Sequence, residues 1–328
     1  MTAIPIDADR TTRSAPAPHA LKIAVIAPCF NEEATIGDVV RGFLRALPQA
    51  TVYVYDNMST DATVDRARAA GAVVRRERAR GKGNVVRRML SDIEADIFVM
   101  IDGDNTYDAA AAPLLIQHLI EHRLDMVVGA RRHASDAAYR RGHQFGNRVL
   151  TGVIATVFRA DLKDMLSGYR VMSRRFVKSF PALSRGFEVE TELTVHALEI
   201  GAAFDEVETL YRERPEGSAS KLRTIRDGAR IGRFIARLIR EERPLEFFGA
   251  LAFALIAAAA ALAAPVLVEY MQTGLVPRLP TWVAATGLAV MSFFSLACGL
   301  ILDTVTKGRR EARRLAYLAL PAPHDHAS

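Results

Sequence analysis

Two long stretches without a charged residue constrain this chain more than any other feature. Residues 247–268 (FFGALAFALIAAAAALAAPVLV) and 281–302 (TWVAATGLAVMSFFSLACGLIL) each run for 22 positions without Asp, Glu, Lys or Arg. At a helical rise of ~1.5 Å per residue, either would cross the ~30 Å hydrocarbon core of a bilayer. The alternative is a buried core helix, but such helices rarely stay uncharged beyond ~14 residues, and two in succession would need a large domain around them. Trp282, the only tryptophan, opens the second stretch at a plausible interface depth. The connector 269–280 carries only Glu269 and Arg278, whereas the outer flanks hold Arg237, Arg240 and Arg243 before and Lys307, Arg309, Arg310, Arg313 and Arg314 after. That asymmetry predicts both termini in the cytoplasm: a multi-pass protein of the cytoplasmic (inner) membrane with its large amino-terminal region inside. Residues 1–20 lack the apolar core of a secretory signal and any hydrophobic period, so a disordered tail is expected there.

The formal net charge of +6 suits anionic partners such as nucleotides, lipid phosphates or an acidic membrane surface. The two cysteines, Cys29 and Cys298, are too few for a disulfide framework or a thiolate zinc site, which fits a reducing compartment.

Before the spans, apolar runs alternate with helical periods. LKIAVIA (21–27) reads as a buried strand, followed by Asn31 as a cap and a helix through Leu47. Further strands are expected at 51–56, 72–75, 96–102 and 125–130, with helices at 61–70, 82–94 and 109–122 between them. This order predicts an α/β domain with a parallel sheet covered on both faces. In open sheets of that kind ligands sit beyond the carboxyl ends of the strands. Those positions hold Pro28 to Glu32, Asp56 to Asp61, and Asp102 to Asp104, so acids gather at one edge.

Asp102 and Asp104, one residue apart, can converge on a hard divalent ion such as Mg²⁺ or Mn²⁺, which would neutralise a diphosphate leaving group. The same sequence is also a good turn and helix cap. An EF-hand is excluded, because Tyr107 and Pro113 occupy the positions of its Gly and Glu. No Gly-x-Gly-x-x-Gly follows the first strand, and Gly81-Lys82-Gly83-Asn84 lacks the upstream Gly and trailing Ser/Thr of a P-loop. His118, Glu121 and His122 spell a spacing used by some zinc peptidases, but an incidental pair on a polar helix face explains them better.

Read together, Pro28-Cys29-Phe30-Asn31-Glu32-Glu33, Asp56-Asn57-Met58-Ser59-Thr60-Asp61-Ala62-Thr63, Gly81-Lys82-Gly83 and Asp102-Gly103-Asp104 resemble the family 2 inverting glycosyltransferases of GT-A fold. Asp164-Met165-Leu166-Ser167-Gly168-Tyr169-Arg170 and Arg214-Pro215-Glu216-Gly217-Ser218-Ala219-Ser220-Lys221 are similar to the branch that includes dolichyl-phosphate mannose synthase and bacterial polyprenyl-phosphate sugar transferases. The resemblance covers about residues 21–225 in order. It implies a GT-A nucleotide-sugar-binding fold with a mostly parallel central sheet, followed by an amphipathic helix and two transmembrane helices.

The resemblance also implies roles. Pro28, Phe30, Asn31 and Glu32 would line the nucleotide pocket, with Asp56 and Asn57 at the base edge and Lys82 nearby. Asp102 and Asp104 would bridge nucleotide and metal, and Arg214 and Lys221 would close over the diphosphate. Arg131, Arg141 and Arg170 are the candidates for the acceptor phosphate. Two positions depart from the family: Thr106 stands where close relatives often carry Gln as a further metal contact, and His143-Gln144 where Ser-Arg is frequent. A lipid phosphate has a second pKa near ~6, so an enzyme using it needs cations more than a general base. Glu190, within GFEVETEL on an expected strand-to-helix transition, is the choice if a base or sugar-hydroxyl contact is required.

The expected organisation is a tail at 1–20, a catalytic domain at 21–222 and an interfacial amphipathic helix at 223–243. A two-helix transmembrane hairpin at 244–303 and a basic cytoplasmic tail at 304–328 follow. In the amphipathic segment Arg223, Arg226, Arg230, Arg233, Arg237 and Arg240 recur at helical spacing around Ile231, Phe234, Ile235 and Leu238, a pattern suited to anionic lipid. The function expected is transfer of one sugar from a GDP- or UDP-sugar to polyprenyl (undecaprenyl) phosphate, part of cell-envelope assembly. Nucleic acid is not an expected partner, and a homo-oligomer is compatible with the sequence. A transferase of the same fold acting on a glycolipid or polysaccharide is the enzymatic rival, although two spans are few for a translocation channel. A sugar-nucleotide-binding membrane scaffold is the non-enzymatic one.

Overall fold

The computed structural model describes residues 21–133, 151–152, 162–184, 186, 188–212 and 240–322. Among the described residues seven strands form one sheet: β1 (Ile23–Cys29), β2 (Thr51–Asp56), β3 (Val73–Arg76), β4 (Ile97–Met100), β5 (Met126–His133), β6 (Arg170–Ser173) and β7 (Phe204–Tyr211). Their order is β3-β2-β1-β4-β6-β5-β7. Only β6 runs against its neighbours, pairing antiparallel with β4 and β5. The sheet is therefore mostly parallel, as expected.

Alternation along the strands explains why β1 and β4 read as continuous apolar runs. Val25, Ala27, Ile97 and Val99 face one core cluster with α1 (Ile36–Ala46) and α4 (Ala112–Glu121). Ala24, Ile26, Phe98 and Met100 face a second cluster with α3 (Lys82–Asp92), α5 (Arg174–Ser179) and α6 (Val189–Ile200). A strand buried on both faces has no polar side to show. Each fully buried aliphatic or aromatic side chain contributes roughly 1.5–3 kcal/mol of transfer free energy. α2 (Thr63–Ala69) covers the β2–β3 edge on the first face.

Three local expectations are corrected. Asn31 does not cap α1; the helix starts five residues later after Thr35, while Asn31 Oδ1 accepts from Thr60 N at 2.9 Å. β4 ends at Met100, which puts Asp102 on the loop beyond it. Among the described residues just before α6 there is no strand, and Glu190 lies in the first turn of that helix.

α7 (Pro244–Thr273) and α8 (Leu279–Leu318) are both long and apolar enough to cross a membrane. Only 17% of each apolar window is buried among the described residues, far less than a core helix would be. Their contact is a heptad seam: Ala252, Ala259 and Val266 are buried on α7, and Ala285, Ser292, Gly299 and Thr306 on α8. A seven-residue spacing keeps small residues facing the partner in a left-handed pair. Ser292 Oγ and Ser295 Oγ donate to Ala252 O (2.8 Å) and Phe248 O (2.9 Å), so both hydroxyls are satisfied by the backbone of the facing helix. The segment beyond 303 is not a separate tail up to Leu318: α8 continues unbroken and packs on α5 and α6.

Candidate active site

The sheet order reverses between β1 and β4, because the chain moves outward through β2 and β3 and then returns to the other side of β1. In open sheets the ligand crevice lies at such a switch point, beyond the strands' carboxyl ends. The loops around it are backbone-constrained: Asn31, Met58 and Asn105, after β1, β2 and β4, have φ of 52°, 65° and 58°. Non-glycine residues in this left-handed region are uncommon and concentrate where surrounding contacts impose them.

The centre of the crevice is Lys82, the first residue of α3. Its Nζ donates to Asp102 Oδ1 at 2.5 Å and also to Glu190 Oε1, joining the loop after β4 to α3 and α6. Burial works against the ammonium charge, but the Asp102 and Glu190 carboxylates outweigh it and hold its pKa well above the ordinary lysine value. Among the described residues Glu190 Oε2 is buried without a hydrogen-bond partner. Gly83 N donates to Gly186 O at 3.1 Å, which ties the start of α3 to the loop before α6.

Asp104 is buried, and its Oδ1 accepts from Thr106 Oγ1 at 2.6 Å and from Thr106 N at 3.3 Å. Thr106, the departure from the family pattern, thus orients the second aspartate. Among the described residues no group of three or more His, Cys, Asp or Glu side chains forms a metal cage. Two carboxylates on one turn are nonetheless a suitable donor set for a hard divalent ion, since Mg²⁺ is commonly held by one or two carboxylates with water and substrate phosphates completing the shell. His118 instead faces Asp205 at 2.8 Å, and Glu121 accepts from Gln117, so the His-x-x-Glu-His spacing builds no metal site.

The proposed nucleotide side is an interlock of the β1 and β2 loops. Asn31 N donates to Ser59 Oγ (2.9 Å) and Glu32 N to Thr63 Oγ1 (2.8 Å). Pro28 pairs with Tyr55 in the ladder, and Phe30 follows it half-buried at the strand end. Asp56, buried, accepts from Ser59 N at 3.2 Å and faces Arg76 Nε at 3.6 Å. Asn57 donates to Glu77 O (3.1 Å) and Ala79 O (2.9 Å) while accepting from Gly81 N (2.8 Å), so its amide staples the loop that leads to Lys82.

Two arginines assigned to the acceptor phosphate are held in internal contacts. Arg170 is 0% exposed; its guanidinium donates to Ser167 O, Met165 O (2.7 Å) and Thr194 Oγ1 (3.0 Å). It braces the 165–170 segment against α6, and its full burial leaves its guanidinium engaged inside the domain. Arg131 forms a two-pronged pair with Asp164, 2.7 Å on each arm, with its guanidinium 5.6 Å from the Tyr211 ring centroid. Arg141, Arg214, Lys221 and the amphipathic segment through residue 239 lie outside the described residues.

Sequence reasoning missed what this segment does to Asp102. Gly168 N donates to Tyr107 Oη at 2.8 Å, and Ser167 Oγ donates to Gly129 O at 2.6 Å, so the backbone lies directly on the Asp102 carboxylate. Burial and the nearby Asp102 charge raise the Tyr107 phenol well above its ordinary pKa, keeping it neutral. The motif itself was legible, but its target was not, because Asp102 lies 66 positions earlier in the chain. A cleft of about 360 Å³ at the sheet's opposite end, lined by Leu47, Gln49, Ile116 and Glu121 among others, brings no comparable charged group together.

A family model described as Glycosyl transferase family 2 matches residues 24–180. The chain is 34% identical over 298 residues to Glycosyltransferase AglJ of Haloferax volcanii, covering 90% of this chain and 97% of that protein. It is 27% identical over 221 residues to a protein of the same organism named dolichyl-phosphate hexose transferase, covering 67% of this chain and 95% of that protein. Among solved structures, glucosyl-3-phosphoglycerate synthase of Mycobacterium tuberculosis with Mn²⁺, UDP-glucose and phosphoglyceric acid aligns at a TM-score of 0.53 and 26% identity. That alignment covers 67% of this chain and 79% of the other.

Proposed function

The chain belongs to glycosyl transferase family 2, and on that premise we propose that it moves one sugar, with inversion, from a GDP- or UDP-sugar to polyprenyl phosphate at the cytoplasmic face of a membrane. The observation that carries this reading is the joining, in one chain, of the Asp102–Lys82–Glu190 crevice to two helices of membrane-spanning length. The relative named dolichyl-phosphate hexose transferase supports a lipid-phosphate acceptor, and the solved neighbour with Mn²⁺ and UDP-glucose supports a divalent ion and a nucleotide sugar.

In this reading an oxygen of the lipid phosphate attacks the anomeric carbon in line as the bond to the nucleoside diphosphate breaks. The attacking oxygen is already an anion, so no proton need be removed from it. Asp102 and Asp104 would hold Mg²⁺ or Mn²⁺, which when bound supplies charge neutralisation of the departing diphosphate. Lys82 holds the Asp102 carboxylate at the crevice floor and contributes positive charge beside it. Glu190 fixes Lys82 from the opposite side and has a second oxygen suited to a sugar hydroxyl. Asn31, Asp56 and Asn57 shape the base pocket. Arg141, Arg214 and Lys221 supply the remaining phosphate contacts, and Arg131 orders the acceptor side through Asp164.

The test is transfer from labelled GDP- and UDP-sugars to vesicles containing undecaprenyl phosphate. An organic-extractable, acid-labile product with matching nucleoside diphosphate release is expected. Transfer only to a water-soluble acceptor, such as the phosphorylated acid bound in the solved neighbour, would overturn the lipid assignment.

A further inference from the structure

The end of α8 is built into the catalytic domain. Tyr317 is only 9% exposed and belongs to the same apolar cluster as Met89, Phe176 and Leu193. Its hydroxyl donates to Asp125 Oδ2 at 2.5 Å. Asp125 is fully buried and also accepts from Ser173 Oγ (2.8 Å), Arg175 Nε (2.6 Å) and Arg175 Nη2 (2.8 Å). The Arg175 guanidinium lies 4.7 Å from the Tyr317 ring centroid, closing the contact from the other face.

One turn earlier on α8, Arg313 donates to Glu199, whose side chain is fully buried near the end of α6. Arg310 lies 3.5 Å from the same carboxylate and donates to Glu242 O at 2.6 Å, just ahead of α7. Arg309 donates to Glu241 O (3.1 Å) and to Glu242 Oε1 (3.0 Å). Three elements therefore meet at one charged junction: the end of α6, the entry to the first span and the exit from the second. Removing Arg313 would leave the buried Glu199 carboxyl without its guanidinium partner, which is strongly destabilising for a buried group.

We infer that Lys307–Leu318 is a strut that fixes the orientation of the catalytic crevice relative to the two spans. Arg313, Glu199 and Tyr317 act as its positioning residues. α6 carries the coupling: Glu199 stands at the strut, and Glu190, nine residues earlier, touches Lys82, a separation of ~14 Å along the helix axis. This inference rests on the proposed lipid acceptor. A donor arrives from solution in any direction, whereas a lipid phosphate is confined to one plane and its attacking oxygen must come within ~3–3.5 Å of the sugar. Orientation of the domain thus limits acceptor use and leaves donor binding unaffected.

The test uses the full chain in nanodiscs containing undecaprenyl phosphate. Spin labels are placed at Leu114→Cys on α4 and Val305→Cys on α8, both exposed, in a Cys298→Ser background that retains buried Cys29. The parent is expected to give one narrow distance distribution. Arg313→Ala and Tyr317→Ala should broaden it and lower transfer to the embedded acceptor at least tenfold, with the donor Kd held within about twofold. Arg313→Lys and the milder Tyr317→Phe should recover part of both readouts. A distribution that stays narrow in the alanine variants overturns the strut, as does transfer unchanged in a broadened variant or a donor Kd that worsens in step with transfer. A parent that glycosylates no lipid overturns the acceptor reading alone, and the distances then decide the strut by themselves.

Discussion

Gly168 lies so close to Asp102 that a Cβ on residue 168 would stand 2.5 Å from Asp102 Oδ2 and 3.0 Å from its Cγ. With Lys82 Nζ 2.5 Å from the other oxygen, the carboxylate is clamped between an ammonium and a bare backbone. Gly168→Ala is expected to displace the carboxylate, since a side-chain end yields more easily than the buried segment 165–170. A displacement of about 1 Å at a reacting centre costs on the order of 10²-fold in rate, whereas overpacking of this kind costs ~1–3 kcal/mol of stability. Steady-state kinetics beside a melting curve separate the two, and an active Gly168→Ala enzyme would show that Asp102 needs no such clamp.

Thr106 sets the second aspartate through its 2.6 Å bond to Asp104 Oδ1. Asp104→Ala should abolish transfer, as should chelation with EDTA, with activity restored to the unmutated chain by added Mn²⁺ or Mg²⁺. Thr106→Val should raise the metal concentration for half-maximal rate roughly 10-fold, the scale typical of groups that orient a ligand, while Thr106→Ser stays near the parent. A metal titration of the three variants checks the order.

These residues show where sequence stops being informative. β1 and β4 are legible because burial on both faces leaves an unbroken apolar run, and α7 and α8 because each carries 22 successive residues without a charge, long enough to cross a membrane. β6 is not, because it is four residues long and opens with Arg170, a cation that is buried only by donating to Ser167, Met165 and Thr194. β7, FDEVETLY, hides behind its acids at 205, 206 and 208 at the sheet edge. Asp102 and Asp104 are legible as candidates because they follow a strand, and Lys82 only through the resemblance carried by Gly81-Lys82-Gly83. The internal engagement of Arg131 is not, because Asp164 is 33 residues away and charge alone does not say what a guanidinium meets.

His196 makes the acid limb of stability testable. Burial, helped by the nearby Arg313 charge, pushes its pKa down to about 3 from the ordinary 6.5. The unfolded chain therefore binds the proton more readily, so the stabilisation is complete above pH 6.5 and is lost as pH falls from there toward 3. Its Nε2 lies 3.0 Å from Ser179 Oγ between the rings of Phe176 and Phe180. His196→Phe should lose the hydrogen bond, about 1 kcal/mol at neutral pH, yet flatten the decline below pH 6.5. Denaturant midpoints of the two proteins across pH 4–8 should converge as pH falls; parallel curves would remove His196 as the group responsible.

Gly299 carries the last expectation, because the seam between the spans leaves it no room. A Cβ there would stand 3.0 Å from Phe248 Cβ, which would have to give by a few tenths of an ångström, and in van der Waals contact with Leu245 Cα at 3.5 Å, so a longer side chain would run into α7. Gly287, on the same helix, would meet nothing within 4 Å. Helix propensity favours alanine over glycine by about 1 kcal/mol at either site, so Gly287→Ala should leave the melting temperature unchanged or raise it. Gly299→Leu should lower it, because a larger side chain forces α7 and α8 apart and weakens the Ser292 and Ser295 bonds beside it. Matched melting curves in one detergent decide the point. Equal effects at the two positions would mean that the spans do not meet along the Ala252–Ala259 and Ser292–Gly299 seam.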